Sequence, residues 1–123
     1  MAKTPMITIV DDDEFVREST QALVRALGYN VRAFCSAEEF LDSNNDCSCL
    51  ILDVQMKGLS GLELQERLLA QGWRTPIIFV TAFRDESSRN KAINAGAIGF
   101  LYKPFSDEQL EKFLDLALGN TLN

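Results

Sequence analysis

Five residues of this chain could do chemistry together: Asp11, Asp12, Asp53, Thr81 and Lys103. Each lies directly after, or one residue beyond, a short apolar run, the runs being Met6-Ile7-Thr8-Ile9-Val10, Cys49-Leu50-Ile51-Leu52, Pro76-Ile77-Ile78-Phe79-Val80 and Ile98-Gly99-Phe100-Leu101-Tyr102. A carboxylate can act as a nucleophile toward phosphorus, a hydroxyl can donate to one phosphoryl oxygen and an ammonium can pair with another. The set therefore reads as a phosphate-accepting carboxylate site. Ligands of open α/β sheets lie just beyond the carboxyl ends of the strands, and similar chemistry at four strand ends requires a shared crevice.

Each residue also has a plainer reading. An acid at a helix N-terminus is stabilised by about 0.3–1 kcal/mol through the macrodipole, and Asp13 can serve as an N-cap. That accounts for one acid, whereas the three successive carboxylates Asp11-Asp12-Asp13 repel one another and point to a counter-cation. Oxygen-only ligands favour magnesium or a similar hard ion such as manganese. Alone, Asp53 is equally a turn residue, Thr81 a strand-end threonine and Lys103 a surface lysine. Beside a magnesium site, Asp53 becomes a nucleophile that forms an acyl phosphate whose charge the metal partly neutralises. The Lys103-Pro104 bond admits a cis peptide, which could aim the ammonium inward.

The elements that must position these residues alternate. The four runs have the length and β-branched content of buried parallel strands, and Tyr29 to Phe34 reads as a further, less apolar strand. From Glu14 to Leu27, the residues Phe15, Ala22, Leu23, Ala26 and Leu27 fall on one face of a helix that Gly28 stops. Ser36-Ala37-Glu38-Glu39 has the capping-box spacing that opens a short helix through Leu41, and Ser43-Asn44-Asn45-Asp46 is a loop. Ser60-Gly61-Leu62-Glu63 repeats the box ahead of Leu64, Leu68 and Leu69, with Gly72 closing that helix. A fourth helix spans about Asp85 to Ala95 and ends at Gly96. Ser106-Asp107-Glu108-Gln109 caps a fifth that turns Leu110, Phe113, Leu114, Ala117 and Leu118 inward before Gly119. Five βα units imply a doubly wound α/β fold, a five-stranded parallel sheet with right-handed crossovers flanked by five helices.

The length of 123 residues suits one domain, placed at residues 3–119, with 120–123 a tail or the start of a linker. A net charge of −6 repels phosphate backbones and anionic lipid, so the chain by itself is expected to bind neither nucleic acid nor membrane. Three cysteines, Cys35, Cys47 and Cys49, are an odd number, and no histidine is present to complete a zinc site. They read as reduced, inert thiols, which with the lack of a long apolar segment predicts a soluble cytoplasmic protein.

The motifs Ile9-Val10-Asp11-Asp12-Asp13, Ile51-Leu52-Asp53-Val54-Gln55-Met56, Ser60-Gly61-Leu62-Glu63-Leu64, Val80-Thr81-Ala82 and Gly96-Ala97 through Lys103-Pro104-Phe105 resemble the receiver domains of bacterial two-component response regulators. The match covers almost all of the chain, and its wording is most similar to the FixJ-type subgroup, whose members carry a helix-turn-helix DNA-binding domain after the receiver. The resemblance implies a flavodoxin-like sheet in the order 2-1-3-4-5. It implies that Asp53 accepts a phosphoryl group from a sensor histidine kinase, and that Asp11 and Asp12 hold magnesium beside it with the backbone carbonyl of Gln55. Thr81 and Lys103 would contact the phosphoryl group. Phe100 would be an aromatic switch that turns as Thr81 moves, although an ordinary strand aromatic reads the same way. Phosphorylation would then alter the face of the fourth helix, fifth strand and fifth helix, around Arg89, Lys91, Tyr102 and Glu111, and drive dimerisation. DNA contact would belong to an output domain absent from this chain; a receiver acting alone through protein contacts is the other form. The domain is expected to be a switch that accepts phosphate and not a classical enzyme.

One departure stands out: Lys57 follows Met56 where the family usually has proline, so a stiff loop residue is lost and a positive charge gained near the site. Two other classes fit poorly. A haloacid-dehalogenase-type phosphatase needs a second acid two positions after its nucleophile, where this chain has Gln55. A flavodoxin-like electron carrier holds its cofactor phosphate with a hydroxyl-rich loop, where Asp11-Asp12-Asp13 would repel it.

Overall fold

The apolar runs pair because each is buried on both faces and must satisfy its backbone groups laterally. In a computed structural model, which describes residues 5–43 and 46–119, they form β1 (Met6–Val10), β3 (Cys49–Leu52), β4 (Ile77–Thr81) and β5 (Gly99–Tyr102), joined by β2 (Asn30–Phe34). All pairings are parallel, and the order is β2-β1-β3-β4-β5, as the resemblance implied. The helices are α1 (Glu14–Ala26), α2 (Ala37–Asp42), α3 (Gly61–Ala70), α4 (Glu86–Asn94) and α5 (Asp107–Leu118). Part of the expected Ser43–Asp46 loop and the expected tail lie outside the described residues.

The helices start where the sequence places oxygen acceptors. Asp13 caps α1 by accepting from the Val16 N–H at 3.0 Å. Complete capping boxes open α3, between Ser60 and Glu63, and α5, between Ser106 and Gln109. The expected box at α2 is only half formed. Ser36 accepts from the Glu39 N–H at 3.0 Å, but Glu39 reaches past it to the Cys35 N–H at 3.1 Å; the φ of Ser36 is −155°, against −76° at Ser60 and −85° at Ser106, where the boxes close.

Two apolar layers cover the sheet. On one side Phe40, Leu64, Leu68 and Ala92 of α2, α3 and α4 pack against Val10, Leu50, Leu52, Phe79 and Phe100. On the other, Val24 of α1 and Leu110 and Leu114 of α5 pack against Ile7, Ile9, Ile51, Ile78, Val80 and Leu101. The expected face of α1 is corrected here. Thr20 and Val24 are its buried residues, with Leu23 and Leu27 partly covered, whereas Ala22 and Ala26 are exposed and Phe15 is 80% exposed. Positions two residues from Val24 lie about 200° around the helix, so the alanines were apolar without being inward.

The cysteines are free: Cys35 is exposed, Cys47 half-buried and Cys49 buried. Burial raises the thiol pKa of Cys47 and pushes that of Cys49 up to about 12, keeping both protonated and weakly reactive. Among the described residues no helix is long and apolar enough to cross a membrane.

Candidate functional site

Four of the five strands carry a site residue at or just past their ends. The Asp11 N–H donates to the Phe34 carbonyl at 3.2 Å, the Asp53 N–H to the Val10 carbonyl at 3.1 Å and the Lys103 N–H to the Thr81 carbonyl at 2.8 Å. Thr81, expected just beyond its strand, is the last residue of β4 and is paired with Tyr102. The backbone under four side chains is therefore part of the sheet, and side chains projecting from its end are held by the stiffest part of the fold. Gly61 seals the site from below. A Cβ there would run into the Asp53 carbonyl oxygen, so only glycine lets the first turn of α3 close against the end of β3.

At the strand ends the Lys103 ammonium bridges two carboxylates, donating to Asp11 Oδ2 at 2.9 Å and to Asp53 Oδ2 at 3.3 Å. The Lys103-Pro104 peptide is cis and the ammonium points inward. Asp11 and Asp53 are buried, at 1% and 7% exposure, while Asp12 is exposed. The other oxygens of the buried acids take local amides: Asp11 Oδ1 accepts from the Asp13 N–H at 2.9 Å, and Asp53 Oδ1 from the Gln55 N–H at 3.3 Å. Asp11, Asp12 and Asp53 each offer an oxygen within 4.8 Å of the others. A cavity of about 220 Å³ opens over this cluster, lined among others by Asp12, Asp53, Gln55, Thr81 and Lys103.

Burial raises the Asp53 pKa above the ordinary carboxylate value, and the Asp11 carboxylate adds to the rise. The Lys103 ammonium and the Thr81 hydroxyl oppose it without cancelling it. Three carboxylates facing one ammonium form a site short of positive charge. All its side-chain donors are oxygen, so it suits a hard divalent cation.

The expected residues Asp12, Asp53, Gln55, Thr81 and Lys103 thus line one cavity, and Asp11 joins them through the Lys103 ammonium. Phe100 does not join them. It is buried beneath the rim, stacked on Phe79 with ring centroids 5.8 Å apart and edge-on to Tyr102 at 5.5 Å, and the Arg84 guanidinium lies 4.5 Å over the Tyr102 ring. Asp13, grouped with the acids by sequence, is taken up by capping.

Arg17 and Glu38 were not singled out from the sequence, and Lys57 was noted only for its side chain, not for its backbone N–H. Arg17 donates through Nη1 to the Asp11 carbonyl at 2.9 Å, pinning the end of β1 from one turn into α1. The Lys57 N–H donates to Asp12 Oδ2 at 2.9 Å, and Glu38 Oε2 accepts from the Leu59 N–H at 3.0 Å. The position of Arg17, four residues after the N-cap, was a usable signal. No local pattern announces the other two, whose partners are 45 and 21 residues distant.

The response regulator receiver domain profile matches residues 7–115. The chain is 47% identical over 107 residues to the response regulator protein TmoT of Ectopseudomonas mendocina, covering 85% of this chain and 49% of that protein. It is 37% identical over 114 residues to the transcriptional regulatory protein FixJ of Bradyrhizobium diazoefficiens, covering 91% and 56%. Among solved structures, the response regulator StyR superposes with a TM-score of 0.87 at 40% identity, over 96% of this chain and 61% of that one. FixJ-N superposes with a TM-score of 0.85 at 31% identity, over 99% of both chains. The chain spans about half the length of the curated relatives it matches. With sheet order, strand-end acids and sequence in agreement, this chain belongs to the response regulator receiver domain family.

Proposed function

We propose that the domain is a phosphorylation-activated switch of a two-component system in which Asp53 accepts a phosphoryl group from a sensor histidine kinase. The observation that carries this reading is the Lys103 ammonium held between the Asp11 and Asp53 carboxylates under an open cavity. Asp11, Asp12 and Asp53, with the Gln55 carbonyl, would hold magnesium or manganese, which would neutralise charge on the phosphoryl oxygens. An Asp53 oxygen attacks phosphorus, forming a P–O bond as the P–N bond to a donor imidazole breaks. This chain contains no histidine, so that imidazole lies outside these 123 residues. Phosphoryl transfer asks mainly for positioning and charge stabilisation. Lys103 would exchange Asp53 for a phosphoryl oxygen while keeping Asp11, and the Thr81 hydroxyl would donate to a second.

Thr81 lies beside Tyr102, and Tyr102 packs on Phe100. A pull on Thr81 therefore acts where the aromatic stack meets the β4–α4 loop, which makes Phe100 the responding ring and the α4–β5–α5 face the output. Moving a two-state element from 1:99 to 99:1 takes about 5.5 kcal/mol. New hydrogen bonds to charged groups at about 1.5–3 kcal/mol each supply a large part of it. Relatives about twice as long, named as transcriptional regulators, support an output domain in the full protein and DNA contact through that domain. The switched state would be a dimer formed through this face, in the cytoplasm.

Incubation with magnesium and acetyl phosphate should add one phosphate by mass, absent in Asp53→Asn and blocked by chelator. An adduct that persists in Asp53→Asn overturns the assignment, and one indifferent to chelator removes the metal from it. Sedimentation with beryllofluoride should show a dimer; a monomer at full occupancy points to output through another domain.

A further inference from the structure

The loop between β3 and α3 is pinned at two points by carboxylates from elsewhere in the chain. The Lys57 N–H donates to Asp12 Oδ2 at 2.9 Å, and the Leu59 N–H donates to Glu38 Oε2 at 3.0 Å. Gly58 between them has a φ of +75° and passes so close to Glu38 that a Cβ would meet its carboxylate. The Leu59 amide is also the leading reason that the Glu38 carboxyl sits below its usual range. The first pin depends on the residue at position 57, because a proline there would have no N–H to donate.

We propose that Lys57 is a positioning residue for the cation site, acting through its backbone N–H and not through its ammonium. This deepens the reading of Asp11, Asp12 and Asp53 as metal ligands and rests on it. Asp12 is the exposed member of the three, so its side chain has the most rotamer freedom to lose on binding. An N–H held on Oδ2 removes that freedom in advance and leaves Oδ1 for the ion, the arrangement by which hydrogen bonds to ligating carboxylates strengthen metal sites. The clamp at Glu38 keeps the donor itself in place, so hydrogen bonds stiffen a loop that contains no proline.

The test is a magnesium titration of the full chain followed by amide chemical shifts. Loss of an outer hydrogen-bond partner costs about 10–100-fold in metal affinity, so Lys57→Pro should bind magnesium about tenfold more weakly than wild type, and Lys57→Ala, which keeps the N–H, should restore the affinity. Equal affinity in Lys57→Pro, or equal weakening in both variants, overturns the positioning role. No magnesium-dependent shift in the wild type fails the underlying metal reading instead. If Lys57→Pro does not fold, hydrogen exchange of the wild-type Lys57 amide decides. Magnesium should slow it, because the tether survives binding; acceleration means that metal and amide compete for Asp12, and the proposal fails.

Discussion

Helices α4 and α5 both pack against β5 but are held by different means. α5 buries Leu110 and Leu114 completely and lays the Phe113 ring against Gly99, where no larger residue would leave room. α4 buries only Ser88 and Ala92 and leaves Ile93 39% exposed. Beyond the small Ala92 side chain, its tether is polar: Gln65 Nε2 on α3 donates to the Ala92 carbonyl at 3.1 Å, while the Ser88 Oγ bond to Asp85 Oδ2 at 2.8 Å only closes the helix on its own N-cap. A fully buried leucine stabilises by about 1.5–3 kcal/mol and a typical hydrogen bond by about 0.5–1.5 kcal/mol net. α5 is therefore a fixed wall. α4 sits beside the Phe79–Phe100–Tyr102 stack on the side of the molecule that can shift at lower cost, and it follows the loop that begins after Thr81.

The comparison fails most plainly if the wall is not a wall. Leu114→Ala should cost about 2–5 kcal/mol in denaturant unfolding, far more than any truncation on α4; Ile93→Ala, on an exposed site, should stay within about 0.5 kcal/mol. Similar costs at the two positions would erase the distinction.

Charge stress at the strand ends should appear as a pH dependence in metal-free buffer. The folded Asp53 has a raised pKa, so the folded state binds its proton more tightly than the unfolded one, and ionisation costs stability as pH rises through that range. Asp53→Asn should accordingly be more stable than wild type at neutral pH. The gain should shrink as pH falls through the folded pKa and vanish below the unfolded value of about 3.9. A gain that is constant with pH would locate the effect in packing and not in charge.

Gln65→Ala should cost about 0.5–1.5 kcal/mol, but its diagnostic effect is local: amides of α4 should exchange faster while those of α5 do not. Uniform acceleration would mean that α4 is not separately tethered. The smallest effect belongs to Arg84→Ala, which removes a partly exposed cation–π contact of about 0.5–1 kcal/mol and should ease the turning of the Phe100–Tyr102 pair, seen as broader aromatic proton signals. Unchanged lines would exclude Arg84 as a brake on the stack.

The strand runs, the helix starts at Asp13, Ser60 and Ser106, and the gathering of Asp11, Asp53, Thr81 and Lys103 were legible in the sequence, because these depend on local periodicity, local capping and the rule that strand ends face one crevice. The inward face of α1 was not. Phe15, Ala22 and Ala26 are apolar, yet what a helix buries is set by the sheet beneath it, and that sheet selected Thr20 and Val24. Nor could sequence show which neighbouring amide Glu39 would take, since that turned on the backbone angles at Ser36, or that Asp12 and Glu38 would meet the Lys57 and Leu59 amides, since those pairs form only after distant segments have been brought together. Residue types and spacing determined which groups could do chemistry and at which ends of which elements they stand. The tertiary structure decided which oxygen faces which donor, how deeply each carboxylate is buried and hence which one is pushed toward protonation, because hydrogen-bond geometry and desolvation are properties of the packed whole.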